Sequence, residues 1–116
     1  MSTDPARPQQ FDIVVERFPE RAVAKLVGEL DLATAPQLRE LLATLTQSDV
    51  LHITLDLEEL TFVDSVGLSV VISAHKRLAS AGGQLLIEYP PARIRRLFTV
   101  SGVASFLNVR PPIVTQ

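Results

Sequence analysis

The sequence predicts an α/β sandwich, in which a mixed, mostly parallel β-sheet of four to five strands has helices packed against it. Three observations carry this. Apolar residues alternate with period two near Phe11, Ala22 and Leu51, whereas they recur with the helical 3.6 period from Leu38, Leu68 and Ile94. From Thr34 onward the two patterns take turns, so the later strand–helix–strand units need crossovers. Right-handed crossovers make neighbouring strands parallel.

In chain order, Phe11, Ile13 and Val15 alternate with Asp12, Val14 and Glu16. After Phe18-Pro19-Glu20 the extended pattern resumes over Ala22 to Val27, giving a hairpin. Gly28-Glu29-Leu30-Asp31 reads as a loop leaving the second strand. Thr34, with Pro36 in the first turn and Gln37 three residues on, reads as a capping box that opens a helix. Leu38, Leu41, Leu42 and Leu45 form its inner face through about Thr46. Leu51, Ile53, Leu55 and Leu57 alternate with His52, Thr54 and Asp56, the clearest strand and the one expected at the sheet centre; Glu58-Glu59 then reads as a charged loop. Leu68, Val71, Ile72, Leu78 and Ala79 define a second helix, which Gly82-Gly83 stops. Leu85 to Glu88 is a short strand closed by Pro90-Pro91. A third helix turns Ile94, Leu97 and Phe98 inward and ends at Gly102, and Phe106 to Val109 forms a last strand. Residues 1–10, polar and containing Pro5 and Pro8, read as a disordered lead-in, 11–110 as one domain and 111–116 as a C-terminal tail.

Composition narrows the functions available. With 116 residues, 47% of them hydrophobic, the chain can build one core without staples. The absence of cysteine removes disulfides, thiolate metal sites and a cysteine nucleophile, and fits a reducing cytoplasm. Eleven basic and thirteen acidic residues, without a basic tract, argue against nucleic acid as a partner. No stretch has the length of a membrane span, and the first ten residues lack the apolar run of a secretory signal, so neither a membrane partner nor export is expected.

Sites for chemistry are correspondingly few. His52 and His75 stand alone, with no partner at metal-ligand spacing, so no metal or cofactor is expected. No phosphate-binding loop is present. Val63-Asp64-Ser65-Val66-Gly67 lacks the first glycine of a hydrolase elbow, and no histidine follows late in the chain to serve as a base. Ser65 nevertheless lies where a strand-derived loop meets an apolar helix, and Asp64 or Ser65 is the natural N-cap. Gly67, in the first turn of that helix, costs about 1 kcal/mol against alanine, which signals close approach of another backbone or of a partner. In a parallel sheet the loops leaving strand ends gather on one side, so Asp31 and Ser65 are expected as neighbours.

Phe62-Val63-Asp64-Ser65-Val66-Gly67-Leu68 resembles the D-S-x-G-L signature of the anti-sigma factor antagonists, a family of the STAS fold, and Gly28-Glu29-Leu30-Asp31 and the element order agree with it. The resemblance spans Phe11 to Val109 and implies a STAS-type sandwich over 11–110. It implies a non-enzymatic, cytoplasmic binding protein. Its unphosphorylated form would sequester an anti-sigma factor that is also a serine kinase, freeing a sigma factor; phosphorylation at Ser65 would end binding, and a serine phosphatase would restore it. Asp31, Thr34, Asp64, Ser65, Val66, Gly67 and Leu68 would form the partner-binding surface. Val66 replaces the second hydroxyl residue that many relatives carry after the serine, which removes a neighbouring acceptor. The rival reading is a STAS accessory or scaffold subunit of a lipid-transport or stress-signalling complex, with catalysis through Ser65 ranked third.

Overall fold

A computed structural model describes residues 11–113. The order is β1 (Asp12–Arg17), β2 (Arg21–Leu30), α1 (Ala35–Gln47), β3 (His52–Val63), α2 (Ser65–Ser80), β4 (Gln84–Glu88), α3 (Ala92–Val100), a single 3-10 turn (Val103–Ser105) and β5 (Asn108–Arg110). The five strands lie in sequence order; β1 is antiparallel to β2 and every later pair is parallel. The expected mixed, mostly parallel sheet with packed helices is therefore the observed architecture. The lead-in expected over 1–10 lies outside the described residues, as do the last three residues of the expected tail. The tail's beginning is tethered, because the Arg95 guanidinium donates to the carbonyls of Pro111 and Pro112 at 3.0 and 2.9 Å.

When right-handed crossovers run between strands laid down in order, they place their helices on one side of the sheet. The burial pattern agrees. Register puts Ala22, Ile53 and Leu85 in one row and Ala24, Leu55 and Ile87 in the next, all buried. These rows share one core with Leu38, Leu42 and Leu45 of α1, Val71, Ala74 and Leu78 of α2, and Ile94 and Phe98 of α3. On the opposite face the half-buried Val23, Thr54 and Leu86 are interspersed with charge. There Lys25 pairs with Glu59, whose hydrogen bond and charge raise the ammonium above its ordinary pKa.

The strands at the centre run farther than their alternation predicts. β3 reaches Val63, so Glu58 and Glu59 lie in a strand and not in a loop. The register explains why: Lys25 pairs with Asp56 but Val27 with Glu59, and Gly28 pairs with Leu60 but Glu29 with Phe62. Each irregularity gives β3 an extra residue, and each extra residue flips the inward phase. Burial therefore passes from Ile53, Leu55 and Leu57 to Leu60 and then Val63. Asp56 supports the first irregularity by accepting the Glu58 N–H at 3.0 Å, and the Thr61 hydroxyl supports the second by donating to Gly28 O at 3.0 Å.

The predicted stop of α2 is built as expected. Gly82 has φ +85°, its N–H donates to Ala79 O, and Gly83 N–H donates to Leu78 O at 2.7 Å, the paired bonds of a glycine-terminated helix. A β-carbon on Gly83 would also strike the Leu51 carbonyl. The capping box predicted for α1 does not form. Thr34 Oγ1 donates to Glu29 O at 2.7 Å and accepts the Asp31 N–H at 2.9 Å, while Gln37 N–H goes to the Thr34 carbonyl. Asp31 instead organises the turn that leads into α1: its Oδ1 accepts the N–H groups of Ala33 and Thr34, and its carbonyl accepts those of Thr34 and Ala35.

Candidate functional site

The sheet places the ends of β2 and β3 side by side, with Leu30 opposite Val63. The next residues, Asp31 and Asp64, therefore open two adjacent loops. Asp64 N–H donates to Leu30 O at 3.1 Å, continuing the sheet ladder one step into the loop. The Asp64 carboxylate then splits its duties. Oδ1 accepts Gly67 N–H at 2.8 Å and caps α2, and Oδ2 accepts Leu32 N–H at 2.9 Å from the other loop. Both bonds are charge-assisted, and the negative group sits at the positive end of a helix.

Because Asp64 is the cap, Ser65 is the first residue of the helix proper, and its side chain is exposed. Its hydroxyl has no capping role. Four residues on, the Ser69 hydroxyl returns to the Ser65 carbonyl at 2.9 Å. The cap that the sequence allowed to either Asp64 or Ser65 thus belongs to Asp64, and the Ser65 hydroxyl is left exposed beside it.

Gly67 is buried, and a β-carbon there would lie 2.7 Å from both the carbonyl oxygen and Cγ of Leu30. The glycine lets the first turn of α2 sit directly on the end of β2, the close backbone approach expected of it. Leu68 is 8% exposed and belongs to the core. Gly67 and Leu68 therefore shape the surface only by fixing where Ser65 stands. Val66 and Thr34 are half-buried, and Asp31 is half-buried with one carboxylate oxygen committed to its own turn.

Two neighbours escaped the sequence reading. Leu32, whose amide reaches Asp64, exposes 70% of its surface, and Phe62, two residues before Asp64, exposes 42%. A large apolar side chain in the short turn between Asp31 and Thr34 was the available signal for Leu32. Phe62 was hidden because it follows the second extra residue of β3, where alternation no longer tells in from out. Phe62 and Val63 border a groove of about 300 Å³ against Ile94, Leu97 and Val100 of α3, rimmed by Arg93 and Arg96. Among the described residues no cluster of histidine and carboxylate groups could hold a metal ion, and no helix is long and apolar enough to cross a membrane.

The family model described as the STAS domain matches residues 12–115. An anti-sigma-B factor antagonist of Staphylococcus aureus is 34% identical over 85 residues, covering 73% of this chain and 79% of that protein. The unphosphorylated form of the anti-sigma factor antagonist SpoIIAA superposes with a TM-score of 0.69 at 26% identity over 86% of each chain. The phosphorylated form of SpoIIAA, a Bacillus cell fate determinant, gives 0.69 at 28% identity, over 84% of this chain and 90% of that one.

Proposed function

The chain belongs to the STAS domain family, and on that premise we propose that it is an anti-sigma factor antagonist switched by phosphorylation of Ser65. The unphosphorylated protein binds an anti-sigma factor that is also a serine kinase and so releases a sigma factor. Transfer of the ATP γ-phosphoryl group to Ser65 Oγ ends the binding, and a serine phosphatase reverses it. The protein is the substrate of this chemistry and performs none itself. It works in the cytoplasm, where sigma factors act.

The observation that carries the reading is the division of labour between Asp64 and Ser65. The carboxylate satisfies the helix end, so the hydroxyl beside it is exposed and can be modified without dismantling the cap. A phosphate there adds about −1.5 to −2 charge at a helix N-terminus, which favours anions, so the fold survives. The surface does not survive unchanged. Asp64 is pinned by Gly67 and Leu32, and Asp31 by its own turn, so neither carboxylate can swing away from the new charge. A partner that docks on Leu32, Phe62 and the groove toward α3 meets a surface whose centre has become strongly anionic, and like charge at an interface costs several kcal/mol.

The test is to recover the protein's partner by affinity capture, add ATP and magnesium, and map the phosphate by mass spectrometry. Modification confined to Ser65, with dissociation of the complex, is expected. A phosphate on Thr61 or Ser69, or a complex that persists after Ser65 is fully modified, overturns the assignment.

A further inference from the structure

A second cleft opens between α1 and α2, lined by Arg39 and Leu42 of α1 and by Ser69, Val70, Ser73 and Arg77 of α2. Leu42 and Val70, 1% and 5% exposed, belong to the core and make an unyielding floor. The rest of the lining is two arginines and two serines. Ser69, Ser73 and Arg77 follow one another at four-residue spacing, which sets them along one side of α2, and Arg39 faces them from α1.

No residue of the lining is acidic. The one ion pair among the described residues joins Lys25 to Glu59 on the far face of the sheet, so neither arginine has a carboxylate within ion-pair distance there. This concentration of positive charge occurs in a chain whose formal net charge is −2. Two cations brought to one cleft repel each other when it is empty and both gain when an anion lies between them. Arginine forks match oxyanions with paired hydrogen bonds, Ser73 adds a further donor, and Ser69 adds another once its hydroxyl leaves the Ser65 carbonyl. Such a set exceeds what the two oxygens of a carboxylate can accept and suits the three or four oxygens of a phosphate. The cavity, about 220 Å³, is smaller than the roughly 300–1,000 Å³ of pockets that enclose a drug-sized ligand. It has no aromatic shelf. It has room for a phosphate head, and not for a base and sugar as well.

We propose that this cleft is a phosphate-binding site, taking inorganic phosphate or the phosphate head of a small phosphomonoester. The site does not depend on modification of Ser65. Its occupant ties α1, which follows the Asp31 turn, to α2, which begins at Ser65. It also competes for the Ser69 hydroxyl that otherwise bonds the Ser65 carbonyl, so phosphate levels bear on the stiffness of the partner-binding end.

The test is a titration of the full ¹⁵N-labelled chain with sodium phosphate, set against sodium chloride at matched ionic strength and pH and followed by amide and arginine Nε–H shifts. Saturable shifts at Ser69, Ser73, Arg39 and Arg77 are expected, absent with chloride. The R39Q/R77Q double variant should bind about tenfold more weakly or worse, with the rest of its spectrum unchanged. S73A, which leaves both charges, should weaken binding several-fold and provides the same test if the double variant does not fold. O-Phosphoserine binding more tightly than phosphate identifies a phosphomonoester as the source, and equal affinity identifies the free ion. Shifts that never saturate, that chloride reproduces, or that persist with equal affinity in R39Q/R77Q or S73A overturn the proposal.

Discussion

The Leu32 amide donates to Asp64 Oδ2 at 2.9 Å across 32 positions of sequence. One carboxylate therefore holds the loop after β2 and caps the helix after β3, and anything that disturbs it should be felt in both.

Asp64→Ala should lower stability by about 2–3 kcal/mol, since it removes a cap worth roughly 0.5–2 kcal/mol and a charge-assisted bond worth roughly 1.5–3 kcal/mol that do not add fully. Asp64→Asn leaves one acceptor oxygen and turns an NH2 donor toward the other amide, so it keeps the Gly67 bond or the Leu32 bond but not both, and its stability should fall between those of the parent and the alanine variant. Urea midpoints give the ranking, and hydrogen exchange gives the location: Leu32 N–H should lose protection in the alanine variant. Protection equal to the parent's would mean that the loop stands without Asp64.

Ser65→Ala should leave stability within about 0.5 kcal/mol of the parent, because the hydroxyl is exposed and Asp64 does the capping. It should bind the unmodified-state partner normally and accept no phosphate. Ser65→Asp should be as stable or slightly more so at the helix N-terminus, yet bind the partner roughly tenfold more weakly. A calorimetric titration of each variant, paired with its melting curve, separates the effects. If affinity simply follows stability across the three proteins, Ser65 is no switch.

Asp31 divides fold from function through two substitutions. Asp31→Asn retains an oxygen for Ala33 and Thr34 N–H and should melt close to the parent, whereas Asp31→Ala should lose about 1–2 kcal/mol with the turn. Both remove the charge. Partner affinity or phosphorylation rate should fall in both, and an asparagine variant indistinguishable from the parent in both respects would confine Asp31 to the turn.

Gly67→Ala sets helix propensity against packing. Propensity alone predicts a gain of about 1 kcal/mol. The contact with Leu30 predicts a loss of about 1–3 kcal/mol, because the obstacle includes a backbone carbonyl that cannot rotate aside. Net destabilisation is expected, and a urea midpoint above the parent's would show that α2 can retreat from β2 without penalty.

Leu55→Asp should abolish the cooperative thermal transition. Leu55 is 0% exposed at the middle of the sheet, and an unpaired carboxylate there costs a large part of the 5–15 kcal/mol that holds a domain of this size together. A transition within a few degrees of the parent's would contradict its central position.

Most of the fold was legible because its signals are local. Ile53, Leu55 and Leu57 alternate within one strand, Leu38 to Leu45 repeat within one helix, and Gly82-Gly83 terminates α2 through bonds only a few residues long. What the sequence obscured depends on pairing. The continuation of β3 through Glu58 and Glu59 is set by extra residues opposite β2, which no period in β3 alone can display. Thr34 satisfies the capping-box pattern on paper, yet Asp31, three residues earlier, folds the preceding turn onto the Ala33 and Thr34 amides and the threonine hydroxyl goes to Glu29. At the site, Ser65 and Asp64 were legible as a motif, but only the bond from Gly67 N–H to the Asp64 carboxylate assigns the cap to one of them.

The direction of the outer strands has a practical consequence. Asp12 at the start of β1 lies opposite Val27 near the end of β2, and Arg110 at the end of β5 lies opposite Glu88 at the end of β4. Phe11 and Pro111 thus both lie at the end of the sheet that carries Asp31 and Ser65, one at each side. A reporter fused directly before Phe11 or after Pro111 would therefore start at the end of the sheet that carries Asp31 and Ser65. The opposite end, where α1 turns into β3, is the safer handle. Gln47 is exposed there, and in a chain without cysteine a single thiol introduced at that position would be a unique point of attachment.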